Sequence, residues 1–160
     1  MAADSVERDI LIEASPQAVW SVITEPQHIS RWFSDDAEVE ARVGAHGTLT
    51  WRPGGRGGSK DTDMVVQIQV VEADPFRRFC FRWNHPEGTT ADETNSALVE
   101  FTLHEESGGT RLRVLESNID AVTDSDAERA RYLGSHEDGW GRHLGELLEH
   151  VAAEARGAAR

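Results

Sequence analysis

His136, His143 and His150 recur at intervals of seven near the C-terminus, the first residues whose type and spacing could do chemistry. On a helix seven residues rise about 10 Å, so two of these imidazoles cannot share one metal ion. Helical ligand pairs need a spacing of three or four. His136-Glu137 opens like the zinc motif HExxH, but Trp140 stands where the second histidine belongs. The stripe therefore reads as histidines at the edge of an apolar face, with no metal, and with a pH-sensitive contact near neutrality left open. Cys80 is the single cysteine, without a CxxC partner or a nucleophile motif around it, and reads as an inert thiol. Pro53-Gly54-Gly55-Arg56-Gly57-Gly58-Ser59-Lys60 has the composition of a phosphate loop but not its order. It joins two strands instead of opening a helix, so it reads as a flexible connector that can act as a flap.

The five tryptophans, Trp20, Trp32, Trp51, Trp83 and Trp140, are many for 160 residues. Core packing accounts for some of them. As a set they point to a cavity lined by Trp51, Phe81, Trp83, Phe101 and Leu144. Trp32, Val66, Ile68, Val99, Val114 and Trp140 extend that lining. Ligand pockets are mostly apolar with a few placed polar groups. Glu116 is the polar group here: if it continues the inward face of Leu112 and Val114, a carboxylate lies at the cavity mouth. General acid–base work needs a tuned group within reach of substrate. Glu116, with His104 as a nearby imidazole, supplies the only catalytic candidates, and no second partner for Glu116 is evident. Binding without covalent chemistry is the first reading.

Bulk properties narrow the classes. The formal net charge is −13, from 16 basic and 29 acidic residues, and Lys60 is the only lysine. That balance argues against sequence-independent binding to nucleic acid or anionic membrane. The N-terminus lacks a basic segment followed by an apolar one, and no apolar run approaches spanning length. A cytoplasmic protein of one domain over residues 1–160, monomer or homodimer and without a cofactor, is expected.

The elements that must position these groups follow from periodicity. Residues 7–14 alternate with Ile10 and Ile12 inward, though Leu11 faces out. Ser15-Pro16 caps a helix with Val19, Trp20 and Ile23 on its apolar face, and Pro26 starts a second with Ile29, Trp32 and Phe33. Alternating strands are predicted over 38–43, 48–51, 64–70, 78–83, 97–103 and 111–114, with Ser107-Gly108-Gly109 as a hairpin turn. Ser125-x-x-Glu128 opens a short helical piece that Gly134 ends. A long helix then runs from Ser135 to Gly157, with Trp140, Leu144, Leu147, Leu148, Val151 and Ala155 on one face. Short hairpins fit antiparallel pairing, and helices against one face make the class α+β. The architecture expected is a curved antiparallel sheet of about six or seven strands wrapped around the C-terminal helix.

Pro16-x-x-Val19-Trp20 followed by Pro26-x-x-Ile29-x-x-Trp32 resembles the opening of the START-like (SRPBCC, helix-grip, birch-pollen-allergen-like) superfamily. Arg42-Val43-Gly44, Gly47-x-Leu49-x-Trp51, Val71-Glu72-x-Asp74-Pro75, Phe81-x-Trp83, Gly109-Thr110-x-Leu112 and Gly139-Trp140-x-x-x-Leu144-x-x-Leu147 look like one branch of it. That branch is similar to the C-terminal domain of the heat-shock-protein-90 ATPase activator. The likeness runs from about Glu7 to Glu154. It implies a sheet gripping the last helix around an apolar cavity, and it says little about the ligand, because the fold hosts carriers, cyclases, sequestering resistance proteins and chaperone co-regulators. The branch often carries a histidine or other polar residue near the end of the last strand, where this chain has Leu115-Glu116-Ser117-Asn118. The expected function is binding of a hydrophobic, polycyclic or lipid-like small molecule, as carrier, sensor or sequestering protein. A polyketide cyclase or aromatase, and a chaperone ATPase co-regulator, are the alternatives.

Overall fold

The computed structural model describes residues 4–55 and 62–158. Positions 56–61 carry most of the glycine-rich connector, so the expected flap lies outside the described residues. Strand β1 (Val6–Ile12) is followed by helices α1 (Pro16–Thr24) and α2 (Pro26–Trp32), then β2 (Asp36–Glu38), β3 (His46–Trp51), β4 (Met64–Asp74), β5 (Arg78–Trp83), β6 (Ala97–Glu106) and β7 (Gly109–Ser117). A 3-10 turn (Ile119–Ala121) leads into helix α3 (Asp126–Ala158). The seven strands form one antiparallel sheet in the order β1-β7-β6-β5-β4-β3-β2. A register shift between Val70 and Glu72 interrupts β4, and such bulges bend a strand and sharpen its twist.

Alternation decides which face is the core. Leu49 and Trp51, Ile68 and Val70, Phe79, Phe81 and Trp83, Val99, Phe101 and Leu103, and Leu112 and Val114 are all buried on the face that α3 covers. Leu11 is 42% exposed, as its break in the pattern predicts. Ser15 caps α1 by accepting from the Ala18 N–H at 3.2 Å, and Pro16 opens the helix with its preset φ. The Trp32 indole donates to the Val22 carbonyl at 2.9 Å and ties α2 to α1. Between Glu106 and Gly109 the hairpin turns on Ser107 (φ 51°) and Gly108 (φ 82°), the paired positive angles of a two-residue loop that matches strand twist.

Two expectations are corrected. The strand predicted over 38–43 pairs only at Asp36–Glu38, against Thr48–Thr50. The chain then turns at Gly44 (φ 88°), whose N–H reaches the Val70 carbonyl. Gly47 permits the return, because a Cβ there would lie 2.2 Å from the Glu38 carbonyl oxygen. The C-terminal helix is also longer than predicted: α3 is continuous for 33 residues, about 50 Å, and Gly134 sits inside it. Ser125 is its cap, accepting from the Glu128 N–H at 3.1 Å, while the Glu128 carboxylate accepts from the Asp124 N–H at 3.0 Å. A mid-helix glycine costs about 1 kcal/mol against alanine. Packed side chains on both sides of Gly134, from Tyr132 and Leu133 to Trp140, offset that cost.

Candidate functional site

Glu116 stands on the inward face of β7, in register with Val6 on β1 and Val99 on β6, and it is fully buried. A lone carboxylate in such a place would be costly. Four ring donors meet it. On Oε1, the Trp140 indole N–H donates at 3.0 Å and His136 Nδ1 lies at 2.7 Å. On Oε2, the Trp83 indole donates at 2.9 Å and the Tyr132 hydroxyl at 2.6 Å. An ionised carboxylate only accepts, so His136 donates from Nδ1, and Nε2 is the nitrogen left for another partner. Asn84, at the end of β5 with φ 64°, donates to the Tyr132 oxygen at 2.8 Å. The Tyr132 and His136 rings stack with centroids 3.8 Å apart.

Burial pushes the Glu116 carboxyl upward. The hydrogen bond and charge of His136, with the Tyr132 and Trp140 bonds, outweigh it and hold the carboxyl below its ordinary value of 4.5. The Tyr132 phenol is driven far up, by burial first and then by the Glu116 charge beside it. Glu116 therefore stays an anion and Tyr132 a donor at neutral pH.

In front of this cluster, between strands β3–β5 and α3, lies an open cleft of about 190 Å³. Phe33, Trp51, Met64, Val66, Trp83 and Trp140 form its apolar walls, and Asn84, Ser135, His136, Arg142 and His143 supply polar groups. Gly139 also lines it, and a Cβ built there meets nothing within 4 Å, so the missing side chain keeps space open. Phe33 stacks on Trp140 at 5.1 Å and on Trp83 at 6.0 Å, and meets Trp51 edge-on at 5.3 Å. Such pairs contribute roughly 0.5–1.5 kcal/mol each beyond burial, which favours this arrangement of the wall. Trp51 is pinned further by its N–H on the Phe33 carbonyl at 2.8 Å.

Of the predicted lining, Trp51, Val66, Trp83 and Trp140 face this cleft. Trp32, Ile68, Phe81 and Phe101 surround a second space of only about 10 Å³, hardly one water's worth, deeper in the core. Val99, Val114 and Leu144 are buried in the core cluster. His104 is exposed, opposite Arg111 on the outer side of the sheet, and the imidazole that reaches Glu116 is His136. Phe33, Met64, Asn84, Tyr132, Ser135, His136, Gly139, Arg142 and His143 are absent from the predicted site. The signal that finds three of the donors is the spacing of Tyr132, His136 and Trp140 at i, i+4 and i+8, one stripe of a continuous helix. Ending the helix at Gly134 hides it. The histidine stripe divides: His136 on Glu116, His143 buried with Nδ1 3.3 Å from the Trp32 carbonyl, His150 with Nε2 2.9 Å from His28 Nδ1.

A curved antiparallel sheet closed by a long C-terminal helix, with two short helices after the first strand, is the helix-grip fold of START-like proteins. Within that class the chain belongs to the family described as Activator of Hsp90 ATPase homolog 1-like protein, whose model matches residues 13–152. Solved structures agree on the fold. CalU16 from Micromonospora echinospora is 23% identical with a TM-score of 0.64, over 95% of this chain and 78% of that one. DynU16, a protein in the dynemicin biosynthetic locus, is 19% identical with a TM-score of 0.69, over 94% of this chain and 48% of its own. The Aha1 dimer from Colwellia psychrerythraea is 18% identical with a TM-score of 0.67, over 94% of this chain and 96% of that one. No curated protein matches the sequence. No helix among the described residues is long and apolar enough to cross a membrane.

Proposed function

We propose that the protein binds a flat, hydrophobic small molecule of the polycyclic type, edge first, in the cleft between α3 and strands β3–β5, as a carrier, sensor or sequestering protein. The observation that carries this reading is the wall itself: three indoles and a phenyl ring, held in place by hydrogen bonds and by one another, around unfilled space. The cleft is smaller than the roughly 300–1,000 Å³ of pockets that enclose a drug-sized ligand. One or two fused rings fit within it while the rest of the guest stays outside. His136 Nε2, Asn84 and Arg142 stand ready to meet oxygen substituents on the guest. A neighbour from the dynemicin biosynthetic locus is compatible with a natural-product guest and does not identify it.

Titration of tryptophan fluorescence with polycyclic aromatic polyketides and, in parallel, lipids tests the reading. Saturable quenching by flat aromatics, abolished in Gly139→Leu, is expected. Quenching that Gly139→Leu leaves unchanged would place the guest elsewhere.

The Glu116–His136 contact favours a second reading, proton transfer in a cyclase or aromatase. There His136 Nε2 takes the proton, and Glu116 is a positioning residue that holds the tautomer. With a confirmed substrate, Glu116→Gln would then depress kcat and shift the pH profile of the rate. Turnover and profile like the wild type would rule this out. Stimulation of a chaperone ATPase rests on the family description alone and is tested by an ATPase assay with the purified chaperone.

A further inference from the structure

The third histidine of the stripe sits far from the cleft, about 10 Å along α3 from His143. There the structure brings together groups that sequence spacing cannot. His28, on the short helix α2, places Nδ1 2.9 Å from His150 Nε2. Glu154, four residues after His150 on the same helix, places Oε1 3.8 Å from that nitrogen. All three donor atoms lie within 4.8 Å of one another. We propose that His28, His150 and Glu154 form a binding site for a divalent transition-metal ion of the zinc class.

The geometry matches what such an ion requires. Zinc binds imidazole nitrogen at about 2.0–2.1 Å and carboxylate oxygen at about 2.0–2.2 Å, so ligand atoms around a tetrahedral ion stand about 3.3 Å apart. The 2.9 and 3.8 Å separations from His150 Nε2 bracket that value, and shifts of a few tenths of an ångström in the imidazoles (~0.4 Å) bring the two nitrogens onto one ion. His150 and Glu154 have the i, i+4 spacing at which two helical side chains point to a common partner. Two imidazoles and one carboxylate make a borderline donor set, suited to Zn²⁺, Ni²⁺ or Cu²⁺ and poorly suited to Mg²⁺ or Ca²⁺.

The surroundings favour a cation. The His150 side chain is 11% exposed and Glu154 59% exposed, so the imidazole is sheltered while the carboxylate is open to an arriving ion. The site opens on a groove of about 1090 Å³ whose described lining carries Asp35, Glu146, Glu149 and Glu154 against Arg31. Three protein ligands leave a coordination position open to water or to an outside donor, the pattern of exchangeable sites. The seven-residue stripe is not the ligand set. The second imidazole comes from α2, which only the tertiary fold brings to α3.

The test uses full-length, tag-free protein stripped with chelator and dialysed. Calorimetric titration with ZnCl₂ is expected to saturate at one equivalent, and CoCl₂ to give the visible absorption of a low-coordinate Co²⁺ centre. His150→Ala and His28→Gln should each weaken Zn²⁺ binding by more than the roughly 10- to 100-fold that loss of an outer-shell partner costs. Glu154→Gln should weaken it by at least about tenfold, and His104→Ala, on the outer face of the sheet, should leave it unchanged. Circular dichroism checks that each variant is folded, and His28→Gln, on a short peripheral helix, covers the case in which His150→Ala loosens α2 from α3. Retention of wild-type affinity in both folded histidine variants, or no saturable binding below about 1 mM Zn²⁺, would overturn the proposal.

Discussion

Four ring donors converge on the Glu116 carboxylate, and replacement by glutamine separates their hydrogen bonds from their packing. The amide keeps the shape but turns one acceptor oxygen into a donor, so either the His136 and Trp140 pair or the Trp83 and Tyr132 pair faces an N–H₂ group. Glu116→Gln should lower unfolding free energy by about 3 kcal/mol, read from the urea midpoint at pH 7. The loss should depend on pH. The folded protein holds the carboxyl below 4.5, so the unfolded chain takes up a proton first as acid is added. The stabilisation is complete above pH 4.5 and fades as the pH falls below it toward the folded-state value. The gap between wild type and Glu116→Gln should therefore narrow under acid, and a gap constant down to pH 3 would contradict this account. Cys80 behaves oppositely. Burial, aided by Glu72 and Glu100 and opposed by Arg78, pushes its thiol up to about 12. It is 2% exposed, so a thiol reagent at pH 8 should label it only once urea unfolds the chain. The sequence suggests an inert thiol because no CxxC partner or nucleophile motif surrounds it, but the burial that enforces this was not legible, since alternation puts residue 80 on the outer face. The role of His136 was not legible either, because its partner lies 20 residues away on another element.

At the scale of the element, α3 carries two tests. Ser125→Ala removes a cap that satisfies an N–H of the first turn, and should cost about 1 kcal/mol in thermal or chemical unfolding. Gly139→Ala should do the reverse and stabilise the protein by up to about 1 kcal/mol, since a Cβ at that site meets no atom within 4 Å. If Gly139→Ala is instead destabilising, the cleft is narrower than 190 Å³ suggests. The helix was predicted as two pieces because propensity is a local quantity. Gly134 weakens the helix on its own, and only packing of Tyr132 above it and Trp140 below it shows that the weakness is overruled. The strand over 38–43 failed for a related reason: alternation was present, but after Glu38 the chain has to turn back through Gly44 to begin β3.

At the scale of the molecule, sheet and helix close on a core so full that the space left at its centre is about 10 Å³. A guest is therefore expected at the mouth, where a flat aromatic ligand at 100 times its Kd should stabilise the protein by about 2.7 kcal/mol and raise Tm accordingly. No shift with any flat aromatic that quenches fluorescence would separate quenching from binding to the folded state. The sequence by itself determined the α+β class, the two proline-started helices, the strand faces and the inward direction of Glu116, because each follows from a period of 2 or 3.6 and from residues whose backbone preferences are local. The tertiary structure alone decided that the aromatic rings interdigitate instead of enclosing a large void. It alone decided that His136 and not His104 meets Glu116, and that His28 meets His150. Those are outcomes of packing between elements distant along the chain, and periodicity carries information about which face a residue occupies, not about what stands opposite it.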